Sequence, residues 1–264
     1  MDTPHPTPPA PRKGAMRMAD IPADVLDALN GGRLETATLA ECLAIDFRLL
    51  LAAVVPELAG AAAGIDPKDG VTKRMGAVAA IVLERLGPPA VERLAGHPSD
   101  TVRGWAAYAL ATLPGMGLAE RLDRIRAFAD DPHFGVREWA WLAVRPHVAA
   151  APVEAITLLI PWTADPSERV RRFASEATRP RGVWCAHIGA LKEDPALGLP
   201  LLEPLRADPA KYVQDSIANW LNDAAKSHPA WVSALCGRWQ RESAAPATRA
   251  IIRRAMRNLP AMAP

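Results

Sequence analysis

Aromatic residues are scarce in this chain. They make up 5% of its 264 residues, as eight Trp, four Phe and two Tyr. Alanine and leucine dominate the apolar half, which favours helix over the Val-, Ile-, Tyr- and Phe-rich strands of a sheet. Cysteine is nearly absent. Cys42, Cys185 and Cys236 are far apart and odd in number, so they offer neither a disulfide framework nor a CxxC knuckle. Reduced, buried thiols are the reading, and they suit a cytoplasmic location. An excess of one charge is also missing: the formal net charge is +2, so any surface for a polyanion must be local. The longest apolar run, Leu49 to Val55, is too short to span a bilayer. The first residues are proline-rich rather than apolar, so neither a signal peptide nor a membrane partner is expected. No HExxH, no GxGxxG or Walker loop and no Gly-x-Ser-x-Gly elbow occurs, and neither metal nor cofactor is expected.

What remains is an all-α pattern. Residues 1–18 read as a disordered tail, because Met1 to Gly14 carries five prolines and no periodic apolar face. Order is expected to begin near Ile21. Residues 19–264 read as one domain, with an N-terminal helical cap (19–95) and repeats (96–264). In the cap, the spacing predicts helices over Ile21–Asn30, Glu35–Val55 and Val71–Leu86, with a loop over Gly60–Asp69.

The repeats are marked by a turn followed by a valine. His97-Pro98, Asp131-Pro132, Asp165-Pro166 and Asp208-Pro209 lead to Val102, Val136, Val170 and Val213, which stand 34, 34 and 43 residues apart. A weaker fifth copy is read through Ala245-Pro246 to Ile251. Second amphipathic segments lie between the copies, at Leu118–Ala129, Val153–Thr163, Leu199–Arg206 and Trp231–Arg241. The unit is helix, turn, helix, at the period of helical solenoids. After each valine, apolar or small residues recur at offsets 0, 4, 7 and 8, as in Val136, Ala140, Ala143 and Val144. The expected fold is a HEAT-like α-solenoid, the second segments lining its concave wall. The longer interval places extra residues at Arg181–Pro195, including Trp184.

Offsets 2, 5, 6 and 9 face away from the apolar stripe. They are bland in the first copy (Gly104, Ala107, Tyr108, Ala111) and charged or aromatic later: Glu138, Trp141 and Arg145, then Arg172, Glu176 and Arg179, then Asn219 with Asp223 one step beyond the last offset. A carboxylate in a concave wall can stabilise a developing cation or position water. Arginine suits phosphate, and a Trp face suits a flat or cationic ligand. A plainer reading pairs Glu138 with Arg172 across neighbouring helices as a solvated ladder. Trp105, Trp139, Phe173 and Trp220 read as packing residues, and Arg103, Arg137 and Arg171 as links between repeats.

The runs EWAWLAVRPH, VRRFASEATRPRGVW and YVQDSIANWLNDAAKSHP resemble the bacterial AlkC/AlkD superfamily of DNA alkylation repair glycosylases, the AlkC branch being the nearer. The resemblance extends from about His97 to Pro229. It implies a HEAT-like solenoid whose concave face binds duplex DNA carrying alkylated bases. It also implies excision of N3- or N7-alkylated purines by cleavage of the N-glycosidic bond, without a metal, by a protein acting as a monomer. By motif, Glu176 and Asp223 match the family's acidic positions and Trp184 its tryptophan, which implies Glu176 and Asp223 as the catalytic pair that stabilises the sugar cation or positions water, with Glu138 as their partner. Glu138 and Trp141 lie in the corresponding wall of the preceding repeat; Trp184, Trp141 and Asn219 are the expected DNA or lesion contacts, and Arg145, Arg172, Arg179, Arg181 and Lys226 the expected phosphate contacts. Two alternatives stay open: a non-catalytic solenoid that binds damaged DNA, and a protein-interaction scaffold.

Overall fold

The recurring turn is closed from both sides by side chains. In the computed structural model, which describes residues 12–259, Asp131 accepts from the amide of His133 (2.7 Å), Asp165 from Ser167 (2.8 Å) and Asp208 from Ala210 (2.8 Å). His97 plays the same part through Nδ1, which accepts from the amide of Ser99 at 3.0 Å. Such Asx-type turns fix the chain just before a helix begins. The residue after each valine closes the turn from the other side. Arg103, Arg137 and Arg171 each donate Nη1 to two turn carbonyls at 2.8–3.1 Å. Gln214 replaces them in the fourth copy. Arg103 and Arg171 also pair with the aspartate of the next turn, at 2.9 Å and 2.6 Å. All three arginines thus link repeats, Arg103 and Arg171 to the next turn and Arg137 to the Tyr212 hydroxyl of the fourth copy at 3.0 Å.

This geometry corrects the register of the fifth copy. Ser243 Oγ accepts from the amide of Ala245 at 3.3 Å, and Arg249 donates to the carbonyl of Ala244. Ser243 therefore stands where the other copies have Asp or His, and the fully buried Thr248 stands where they have valine. The Ala245-Pro246 pair only imitates the Asp-Pro signal.

The helices are α1 (Ala23–Asn30), α2 (Leu39–Ala44), α3 (Phe47–Val54), α4 (Val71–Leu86), α5 (Ala90–Ala95), α6 (Asp100–Thr112), α7 (Leu118–Ala129), α8 (Phe134–Ala150), α9 (Pro152–Leu159), α10 (Glu168–Ala177), α11 (Gly189–Glu193), α12 (Leu199–Leu205), α13 (Lys211–Ala225), α14 (Pro229–Glu242) and α15 (Pro246–Ala255). No strand occurs among the described residues. Helices α4, α6, α8, α10, α13 and α15 pack side by side in one continuous row. The second segments, α7, α9, α12 and α14, form an outer row that touches itself only sparsely. A stack bends toward its more closely packed row, so the valine helices, not the second segments, form the inner wall. Val102, Val136, Val170 and Val213 are all buried between the rows, as are Trp105, Trp139, Phe173 and Trp220.

The cap departs from expectation: a 3-10 helix over Pro56–Gly64 runs into the expected loop, α5 follows α4, one expected helix is split, and order begins early. The apolar spacing over Glu35–Val55 predicts one helix, but the chain breaks at Ile45-Asp46 into α2 and α3. Asp46 accepts from the amides of Arg48 (2.8 Å) and Leu49 (3.3 Å), capping a new helix. Order also begins before Ile21. Arg12 forms a two-pronged pair with the buried Glu41, at 2.7 Å and 2.5 Å, and the Ala15 amide donates to the same carboxylate at 3.0 Å. The rest of the expected tail, residues 1–11, lies outside the described residues.

Candidate nucleic-acid interface

The charged side chains of α8, α10 and α13 join into one ladder across the inner wall. Glu138 on α8 receives Arg172 Nη2 of α10 at 2.7 Å. Arg172 also lies 3.6 Å from Glu176 one turn on. Glu176 receives Arg179 Nη1 at 2.6 Å, and Arg179 Nη2 bonds Asp223 of α13 at 2.6 Å. Lys226 closes the series on Asp223 at 3.0 Å. The pairing expected between Glu138 and Arg172 is present, but the ladder is not a solvated one: the side chain of Arg172 is 13% exposed and that of Glu176 3%. The ladder also brings Glu176 and Asp223 together, through the single guanidinium of Arg179.

The carboxylates are unequal. Glu176 is 3% exposed and its second oxygen accepts from the Ser216 hydroxyl at 2.6 Å. Burial alone would raise its carboxyl, but Arg172, Arg179 and Ser216 outweigh burial and hold it below the usual range. It is a fixed anion and a weak base. Asp223 is 4% exposed, so both carboxylates expected as the catalytic pair lie covered by their own cations, Arg179 and Lys226. Glu138 is the open one: its side chain is 33% exposed and braced by the Trp141 indole, whose Nε1 donates at 2.8 Å. Burial works against the charge on Arg172, yet Glu176 and Glu138 raise its affinity for a proton. Its guanidinium also lies 4.3 Å from the ring centre of Tyr212.

Several expected contacts are placed elsewhere. Arg145 is 2% exposed. Its guanidinium donates to the carbonyls of Ala186 (3.1 Å), Ala177 (3.2 Å) and Arg179 (2.7 Å). It braces the segment after α10 from within, so it offers no cation to a phosphate. Trp141 is 3% exposed and supports Glu138 instead of meeting a ligand face-on. Asn219 is half-buried and accepts from Arg257 at 3.4 Å. Arg181 is half-buried and donates to Ser227 at 2.7 Å. Of the expected cations, Lys226 is the most open, with 53% of its side chain exposed.

Trp184 is 46% exposed and has φ 60°, a left-handed conformation that costs a residue with a Cβ about 1–2 kcal/mol. Thr72 of α4 holds it there, donating to its carbonyl at 3.2 Å. Beside it opens a pocket of about 330 Å³, mainly apolar, between α4, α6, α8 and this loop, with Tyr108, Leu142 and Cys185 in its wall. The pattern of offsets did not single out Ser216, Tyr212 or the arginines of α15. Once the fifth copy is placed at Ser243, Arg254 and Arg257 fall at offsets 6 and 9, so that register was the missing signal.

Comparison with known proteins agrees with this arrangement. A family model for HEAT repeats matches residues 87–178, and one described as DNA alkylation repair enzyme matches residues 135–259. The latter range contains the whole ladder. YhaZ, an uncharacterized protein of Bacillus subtilis (strain 168), is 38% identical over 143 residues, which are 54% of this chain and 39% of YhaZ. The chain thus spans well under half the length of that relative. The alkylpurine DNA glycosylase AlkC of Pseudomonas fluorescens, solved on DNA containing an abasic-site analogue, superposes with a TM-score of 0.65 at 24% identity. The match covers 93% of this chain and 65% of that one. AlkD2 of Streptococcus mutans superposes with a TM-score of 0.61 at 19% identity, over 78% of this chain and 98% of that one. Solenoid and repeat register agree with these likenesses: the chain has the HEAT-repeat solenoid fold of AlkC and AlkD2, and its residues 135–259 match the DNA alkylation repair enzyme model.

Proposed function

We propose that this protein hydrolyses the N-glycosidic bond of N3- or N7-alkylated purines in duplex DNA, on the inner wall formed by α8, α10 and α13. The observation that carries the reading is the ladder itself: carboxylates and cations alternate across three neighbouring helices, with Glu138 open at one end and Lys226 at the other. Duplex DNA laid on this wall brings phosphates that compete for Lys226 and Arg172. Each cation that turns to a phosphate uncovers a carboxylate.

The chemistry asks little of the protein. Alkylation makes the purine cationic, so the C1′–N bond breaks with its electron pair passing to the base, which leaves neutral. The sugar is left as an oxocarbenium-like cation. Glu138 faces that charge, and Glu176 behind it keeps Arg172 and Arg179 in place. Water adds to C1′ and its proton passes to the Glu138 carboxylate or to solvent. A single preorganised oxyanion-hole donor is worth about 3–4 kcal/mol in other active sites, and a fixed carboxylate facing a developing cation works by the same electrostatic principle. Trp184 meets the sugar–phosphate backbone beside the lesion. No metal is needed where the leaving group is already cationic.

The test is release of methylated purines from a methylated duplex, followed chromatographically, with abasic sites counted in the same samples. The reading expects both products in equal amounts. Binding to the duplex without release would instead support a non-catalytic binder, and absence of binding at moderate salt would support a protein scaffold.

A further inference from the structure

The last helix carries a charge pattern that the ladder does not use. Between Ser243 and Leu259 there is no carboxylate, while Arg249, Arg253, Arg254 and Arg257 are all exposed. Arg253 makes no ion pair or hydrogen bond among the described residues. Arg254 pairs with Asp215 at 3.2 Å, and Lys211 takes the same carboxylate at 2.5 Å. One acid is thus shared by two cations, and the patch stays positive. Between α13 and α15 lies an open cleft of about 410 Å³, lined by Lys211, Asp215, Arg253 and Arg254.

The patch continues the same wall. Asp215 and Asn219 occupy on α13 the offsets that Arg172 and Glu176 occupy on α10. Arg254 contacts Asp215, and Arg257 contacts Asn219. Neighbouring helix axes lie 8–10 Å apart, so α15 stands roughly 20 Å from Glu176 along the stack. That distance is about six base pairs of duplex. The opposite end of the wall is mixed in charge, with Lys73 and Arg74 standing among Asp46, Asp66 and Asp69. On α6, Gly104, Ala107 and Ala111 are buried and uncharged, and Arg103 is taken up by Glu35 and Asp131. On α4, Lys73 pairs with Asp69 at 2.8 Å.

We propose that α15 is a phosphate-binding helix that grips the duplex on one flank of the lesion only, so that the footprint is lopsided about the reacting nucleotide. This rests on the reading of the inner wall as a DNA surface. An unmodified protein bound to two short duplexes tests it. Each duplex carries an abasic-site mimic, one with a long flank on the 5′ side and the other with it on the 3′ side. Affinity is measured by fluorescence anisotropy over a range of salt. The expected result is a preference of at least about tenfold for one duplex. The triple variant Arg253→Gln, Arg254→Gln, Arg257→Gln should abolish that preference and lower the slope of log affinity against log salt by about 2–3, near 0.9 per phosphate contact. All three side chains are exposed, so an unchanged melting temperature serves as the fold control. Equal affinity for both duplexes, or an unchanged slope in the variant, overturns the inference while leaving the DNA reading intact. If the unmodified protein binds neither duplex, the DNA reading falls and the inference with it.

Discussion

Helices α6 and α10 begin alike. Each follows a turn closed by its own first residue and by an arginine that reaches back, and each buries a valine next to that arginine. Beyond the first turn they part. At matching offsets α6 carries Gly104, Ala107, Tyr108 and Ala111, all buried under its neighbours, and α10 carries Arg172, Ser175, Glu176 and Arg179, tied to α8 and α13. Positions that recur between copies hold the stack together. Positions that do not recur form the charged ladder or brace it. In α6 those positions have been given up to packing: a Cβ on Gly104 would lie 2.5 Å from Trp139 and 2.6 Å from Met75.

The offset shared by Ala111, Arg145 and Arg179 gives the largest expected effect. Arg145→Ala removes the donor from three carbonyls, that of Ala177 in a buried bond and those of Ala186 and Arg179 in part-buried ones, and a buried unsatisfied group costs about 1–3 kcal/mol. A loss of about 4 kcal/mol in denaturant unfolding is expected, although alanine already occupies that offset in α6. Gly104→Ala sharpens the contrast from the other side. It should cost about 2–3 kcal/mol by overpacking, whereas α10 carries a long arginine at the same offset.

Both the scaffold and the ladder were partly legible in the sequence. The turn–valine repeat announced the solenoid because the second and third copies make the turn from the same residues, Asp-Pro and an arginine, at the same spacing. Three features were hidden for physical reasons. The apolar spacing of Leu39, Leu43, Phe47, Leu50 and Val54 runs unbroken through Asp46, so nothing in the periodicity marks the cap that splits the helix. Arg145 and Arg179 share an offset, and only the extra residues after α10, folding back over α8, bury the first of them. The fifth copy begins with Ser243, which makes the turn as aspartate does but does not resemble it. Glu176 and Asp223 were legible as partners on one face. That Glu138 would be the open carboxylate was not, because exposure depends on what the neighbouring helices cover.

Acid provides the next contrast. The carboxyls of Glu41 and Glu176 are held below the usual value of 4.5, that of Glu41 at about 2 because Arg12 and two backbone amides bind its anion. Their stabilisation is complete above 4.5 and is lost as pH falls through the folded values. Asp100 of α6 has the opposite sign. Burial raises its carboxyl, so its contribution is present below its usual 3.8 and lost as pH rises. The balance should be a loss of about 2 kcal/mol between pH 4.5 and pH 2, with a shallower fall in Arg12→Ala. The smallest effect concerns Trp184. Trp184→Gly should raise stability by about 1 kcal/mol, because glycine accepts φ 60° without strain. Trp184→Ala should not, and both should weaken binding to a duplex that contains an abasic site.

The central claim is that the non-recurring residues of the inner wall act on DNA, with Glu138 facing the reacting sugar. It is tested most directly by the single-turnover rate of methylpurine release from a methylated duplex, for the unmodified protein and for Glu138→Gln. The expected result is release by the former and a rate about 10²–10³-fold lower in the latter, at unchanged affinity for the duplex. Equal rates for the two proteins would contradict the claim.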